Sequence, residues 1–116
     1  MPESKRIILR IRAADNDIFE AMVSGKKKIE TRAATARYKD IKAKDVVILV
    51  CGKKRIAKTV KKAEHFPSVA AILKKYKPET INPKTHTAKE ATDMWYGFPG
   101  YKEKIKKFGL IVITLE

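Results

Sequence analysis

The chain has 116 residues, with 27 Lys and Arg against 13 Asp and Glu, a formal charge of +14. Apolar residues make up 44%, enough for a packed core in one domain and too many for a disordered basic tail. The longest strictly apolar run, Val46 to Cys51, is far short of the roughly 20 residues that cross a bilayer.

Lys5 to Arg12 alternates, with Ile7, Leu9 and Ile11 on one face and Ile8, Arg10 and Arg12 on the other, which is strand periodicity. Asp15-Asn16-Asp17 offers helix caps for a stripe of Ile18, Phe19, Met22 and Val23 that Gly25 ends. Lys28 to Arg32 is a short alternating strand, and a polar loop containing Tyr38 runs from Ala33 to Lys44. Asp45 to Cys51 suits a buried strand, and Gly52-Lys53-Lys54 turns into a further strand, Arg55 to Lys62. Phe66-Pro67-Ser68 opens a helix that Pro78 stops. Thr87-Ala88-Lys89-Glu90 is a capping box for a helix reaching Tyr96 and ended by Gly97, and Tyr101 to Phe108 suits one more short helix. Leu110 to Leu115 is apolar on both faces, as a central strand is. The expectation is a single α+β domain over residues 1–116.

The charge is uneven. Residues 39–62 hold nine basic and two acidic groups, so half of the net +14 falls in 24 residues. Self-repulsion at that density is relieved by a polyanion, and nucleic acid is the commonest one inside cells. Lys53, Lys54, Arg55 and Lys58 in the hairpin are the candidates for backbone attraction. Lys outnumbers Arg 21 to 6, which favours loose phosphate contact over base reading.

The segment Gly25-Lys26-Lys27-Lys28-Ile29-Glu30-Thr31-Arg32 carries the chemistry. Glu30 and Arg32 share a strand face about 6.5 Å apart, and Lys27 falls on the preceding turn. A glutamate at that spacing orients a guanidinium while leaving some of its donors for a phosphate or a planar ligand with carbonyl and amide edges. The plain alternative is an exposed strand ion pair, which is worth little.

Gly25, Lys27, Glu30 and Arg32 form the pattern G-x-K-x-x-E-x-R, which resembles the signature of the ASCH domain, a branch of the PUA-like superfamily. The order of elements, Tyr38 in the following loop, Phe66-Pro67-Ser68-Val69 and Phe98-Pro99-Gly100-Tyr101 extend the similarity over nearly the whole chain. The resemblance implies a PUA-like mixed β-barrel of about five or six strands flanked by about three helices, with the signature lining a cleft. It implies RNA or a modified nucleotide as the partner. Some short members of that family are amidohydrolases acting on acylated cytidine through a lysine, a threonine nucleophile and a downstream glutamate. Lys27 matches that lysine, but the nucleophile position is Glu30, and Thr31 is expected on the opposite strand face. Glu64, Glu79 and Glu90 are the possible downstream acids.

Trp95 to Tyr101 holds four of the nine aromatics. Trp95 and Phe98 are expected to plug the barrel end, with Tyr96 either snorkelling beside Tyr101 or stacking on a base. Cys51 is the only cysteine, which excludes an internal disulfide and reads as core. His65, His86 and Cys51 have no zinc-like spacing, so neither metal nor cofactor is expected. No signal-peptide pattern follows Met1. The expected protein is therefore a cytoplasmic, non-membrane domain, taken as a monomer, that binds RNA or a nucleotide through Gly25, Lys27, Glu30, Arg32, Tyr38, the hairpin cations and Tyr96. The alternative is a small hydrolase, acting on acylated cytidine or on RNA, with Lys27 and Glu30 as the catalytic candidates. An interaction module meeting an acidic protein is a third reading.

Overall fold

Five strands share one mixed sheet in a computed structural model that describes residues 5–116. They are β1 (Arg6–Arg10), β2 (Ile29–Ala33), β3 (Val46–Cys51), β4 (Lys54–Phe66) and β5 (Leu110–Leu115), in the spatial order β1-β3-β4-β5-β2. Only the β1–β3 pairing is parallel. A short 3-10 turn (Ala13–Asp15) and α1 (Asn16–Val23) follow β1; α2 (Val69–Lys75), α3 (Pro78–Ile81), α4 (Ala88–Gly97) and α5 (Tyr101–Phe108) lie between β4 and β5. The architecture is α+β, a curled half-barrel. The five expected strands all form, β4 running four residues beyond Lys62 to Phe66.

Five helices form where about three were expected. Pro78 both stops α2 and starts α3: it forces Lys77 into an extended conformation, and it sits at the first helical position, where its missing N–H costs nothing. Two of the three caps read from sequence are in place, while Asp15, at the N-cap of α1, makes no side-chain cap bond. Ser68 Oγ accepts the Ala71 N–H, and Thr87 Oγ1 accepts the Glu90 N–H, while the Glu90 carboxylate returns to the His86 N–H.

β5 separates two cores, which explains its apolar character on both faces. Ile111, Ile113 and Leu115 pack on the concave side with Leu9, Phe19, Met22, Val47 and Leu49. Leu110 and Val112 pack on the convex side with Ile29, Val69, Ile72 and Trp95. The expected plug at the barrel end is thus corrected for Trp95, which is 1% exposed but belongs to the helix-covered convex core. Its indole N–H is satisfied by Thr31 Oγ1 at 2.9 Å. Cys51 is buried in the concave core.

The expected mixed barrel takes the form of a curled half-barrel: β1 pairs only with β3 and β2 only with β5, so the strand order does not return on itself. Two fixed points hold the open sheet in shape. The buried Asp45 carboxylate accepts the Lys5 and Lys42 amides at 3.0 and 3.1 Å, tying the start of β3 to the chain entering β1. Gly109, at φ +75°, lets the α5–β5 junction press on the Phe66–Pro67 backbone, where an added Cβ lies 2.5 Å from the Phe66 carbonyl oxygen. Gly109→Ala is expected to cost about 2 kcal/mol or more in urea unfolding, because strain and clash act together. Gly97→Ala, with nothing within 4 Å of the new methyl, is expected to be neutral or slightly stabilising.

Candidate functional site: a cleft at the open seam

The two unpaired edges, β1 and β2, define the seam. Backbone groups on a strand edge need partners once water is largely excluded, and here side chains supply them. On the β1 edge, the Ile8 and Arg10 carbonyls accept from the Arg37 and Arg32 guanidinium groups at 3.4 and 3.0 Å. On the β2 edge, the Thr31 N–H donates to Glu30 Oε1 at 2.9 Å and the Ala33 N–H to the Tyr101 hydroxyl at 3.4 Å. The Ile29 carbonyl accepts from the Lys27 ammonium.

The helix-to-strand turn assembles this polar set. Gly25 adopts φ +83°, and the Lys27 N–H then bonds back to the Ala21 carbonyl at 2.9 Å, which buries the Lys27 stem under α1. Lys27 is only 5% exposed. Its Nζ lies 4.0 Å from Glu30 Oε1, and the Arg32 guanidinium lies 3.3 Å from Glu30 Oε2. Burial lowers the Lys27 pKa below the usual lysine value, and the Glu30 charge only partly restores it. Burial by itself raises the Glu30 carboxyl, but Lys27, Arg32 and the Thr31 amide outweigh it and leave the pKa below the ordinary carboxylate value. Arg32 also loses from burial, yet the facing Glu30 holds its pKa above the usual value.

These three side chains share a cavity of about 230 Å³. Its first wall is the end of β1 and the following turn, with Arg10, Ile11, Arg12 and Asp15; its second is Lys27, Glu30, Thr31 and Arg32. Ile81 of α3 and the following Asn82, Met94 of α4, and Phe98, Pro99 and Tyr101 close the third side. Arg12 pairs with Asp15 at 2.9 Å and stands 5.3 Å over the Phe98 ring, so it links the first and third walls at the mouth. The cleft is apolar on one side and charged on the other, a combination suited to a planar ligand with polar edges.

The remaining expected residues are dispersed. Gly25 shapes the turn without lining the cavity. Tyr38 packs on the concave core, beneath the Arg32 and Arg37 guanidiniums at 5.9 and 5.6 Å. Lys53, Lys54, Arg55 and Lys58 lie outside the cavity, and Lys54 is tied to Glu20 of α1 at 2.9 Å. Tyr96 is exposed on α4 in a separate shallow depression with Val69 and Leu73. Among the candidate acids, Glu64 is bound by Lys75 and Tyr76 on the outside of β4, Glu90 caps α4, and Glu79 lies on α3 outside the lining. The Thr31 hydroxyl is turned to Trp95. Among the described residues, no group of three or more His, Cys, Asp or Glu could hold a metal ion, and no helix is long and apolar enough to cross a membrane.

Sequence reasoning missed Arg12, Asp15, Asn82, Met94 and Tyr101 as cleft walls. They come from separate segments with no shared periodicity; the proximity of Phe98 and Tyr101 to a Gly-Pro loop was the one signal present.

The coupling between Lys27 and Glu30 is testable by titration. Lys27→Met keeps the stem and removes the charge, so the Glu30 carboxyl pKa in carbon-detected NMR is expected to rise. Glu64 provides a stability counterpart. Hydrogen bonds from Lys75 and Tyr76 depress its pKa from 4.5 to about 2. Its contribution is therefore complete above pH 4.5 and lost as the pH falls toward 2. Glu64→Gln is expected to flatten the fall in urea-unfolding free energy across that window.

No family model matches the chain, and no curated protein matches it. Solved structures do match it, among them the following two. The crystal structure of hypothetical protein PH0355 superposes with a TM-score of 0.82 at 26% identity, over 96% of this chain and 97% of that one. The solution structure of protein PF0455 from Pyrococcus furiosus superposes with a TM-score of 0.72, also at 26% identity, over 98% and 96% of the two chains.

Proposed function

We propose that the chain is an ASCH-type, PUA-like domain that binds RNA or a nucleotide, with one base in the seam cleft and adjoining phosphates on the arginines around β1. The observation that supports this reading most is the convergence of Lys27, Glu30 and Arg32 with Arg10 and Arg12 in one cavity of about 230 Å³. The distribution of arginine adds to it. Arg6 and Arg10 lie on β1, Arg12 follows it, and Arg32 and Arg37 bond to its carbonyls. Arg55 stands across Val50 from Arg10 on the same sheet face. Five of the six arginines thus lie on or beside one edge, with Arg55 two strands in, while the 21 lysines are spread over the chain. Guanidinium is the better group for bidentate phosphate contact. The basic hairpin contributes general attraction, with Arg55 the residue best placed to continue from the cleft.

The hydrolase reading has one observation in its favour, the buried Lys27 with its lowered pKa. Its other parts are poorly placed. Thr31 Oγ1 is occupied by the Trp95 indole, and Asp15, already paired with Arg12, is the one carboxylate besides Glu30 that lines the cavity among the described residues. Glu30 between two cations is a weak base.

Binding of a labelled single-stranded oligoribonucleotide, followed by anisotropy over a salt series, tests the proposal. Arg10→Ala and Arg12→Ala are each expected to weaken binding and to lower the log–log salt slope by about one. Lys89→Ala, on α4 and paired with Asp93, is expected to leave both unchanged. Equal affinity for all three variants rejects the β1 arginines as the phosphate contact, and turnover of acetylated cytidine lost in Lys27→Met transfers the assignment to the hydrolase.

A further inference from the structure

The acceptor pattern inside the cleft discriminates among bases, and this inference rests on the nucleotide-binding reading above. The Glu30 carboxylate is held between two cations, 4.0 Å from Lys27 and 3.3 Å from Arg32. An ionised carboxylate accepts hydrogen bonds and donates none. Oε1 takes the Thr31 N–H and Oε2 the Arg32 guanidinium, so each oxygen keeps acceptor capacity for a ligand. Two oxygens side by side match an edge that presents two adjacent N–H donors.

Of the four RNA bases, guanine alone has such an edge, in N1–H and the N2 amine. Adenine and cytosine set a ring-nitrogen lone pair beside their amine, and that lone pair would face the second carboxylate oxygen. Uracil has one N–H between two carbonyls. Guanine also carries O6 next to N1–H, and the groups flanking Glu30 are both donors: Lys27 has three N–H groups and Arg32 five, of which the structure uses only part. The opposite wall, with Ile81, Met94 and Phe98, offers apolar surface to the base faces.

We propose that the cleft selects guanine, with Glu30 accepting from N1–H and the N2 amine and a flanking cation donating to O6. The ligand is a guanine nucleotide, free or within an RNA strand.

The test uses the unaltered protein. Affinities for guanosine, inosine and adenosine 5′-monophosphates are measured by calorimetry. They are measured in parallel for a uridine-rich oligoribonucleotide carrying one guanine or one hypoxanthine. Inosine lacks only the N2 amine, so guanine is expected to bind about tenfold or more tighter in at least one of the two formats, from loss of one charge-assisted hydrogen bond. Selectivity in both formats assigns free nucleotide and strand alike; selectivity in the oligonucleotide alone assigns guanine within a strand. Binding without preference for guanine, or with preference for adenine, overturns guanine selection and leaves the nucleotide site standing. No binding of any of these ligands overturns both. Glu30→Gln, checked for folding by circular dichroism, presents one acceptor and one donor. It is expected to bring the guanine-to-hypoxanthine ratio close to one, and an unchanged ratio overturns the assigned contact.

Discussion

An open sheet of this kind must answer for its two edges. β1 and β2 face each other without pairing, and their backbone groups are met by long polar side chains instead: Arg32 and Arg37 on one edge, Lys27, Glu30 and Tyr101 on the other. Direct closure by hydrogen bonds between the strands would leave no space. Bridging with side chains leaves a cavity between the edges, already lined by charge. The cleft and the means of holding the half-barrel together are the same set of residues.

That arrangement accounts for the burial of so much charge. Lys27 and Glu30 each pay a desolvation cost, and neither is tolerable alone. Together with Arg32 they form a chain of alternating sign, cation–anion–cation, with one net positive charge directed into the cavity. The surrounding packing keeps the group rigid. Trp95 anchors Thr31 from behind, and the two cores on either side of β5 fix the strand that carries β2. A site preorganised in this way spends little ordering energy when a ligand enters.

Charge at the surface has a different character. Most lysines are solvated or sit in exposed pairs such as Lys89–Asp93 and Lys54–Glu20, which contribute little stability. Arg10, Arg12, Arg32 and Arg37 stand at the seam, where the forks of Arg32 and Arg37 bond to β1 carbonyls. A total of +14 acts at long range on any polyanion, whereas the cleft presents only a few fixed charged groups.

Local chemistry in the sequence determined the elements and the core of the site. Ser68, Thr87 and Gly25 mark helix ends because capping and left-handed turns act over three or four residues, and Leu110 to Leu115 shows its central place through apolarity on both faces. Lys27, Glu30 and Arg32 were legible because a turn and a strand of fixed period bring them together. Tertiary packing decided the rest. Tyr96 and Phe98 look equivalent in a seven-residue aromatic run, yet the turn after α4 sends Phe98 to the cleft and leaves Tyr96 in solvent. Arg12, Asp15, Met94 and Tyr101 meet the signature only because the strand order places β1 across from β2 and the α4–α5 junction above both. Glu64, equally acidic in sequence, is spent on Lys75 and Tyr76 outside β4. Periodicity reports which face of an element a side chain occupies. Which element lies opposite that face depends on long-range strand pairing, and no local spacing encodes it.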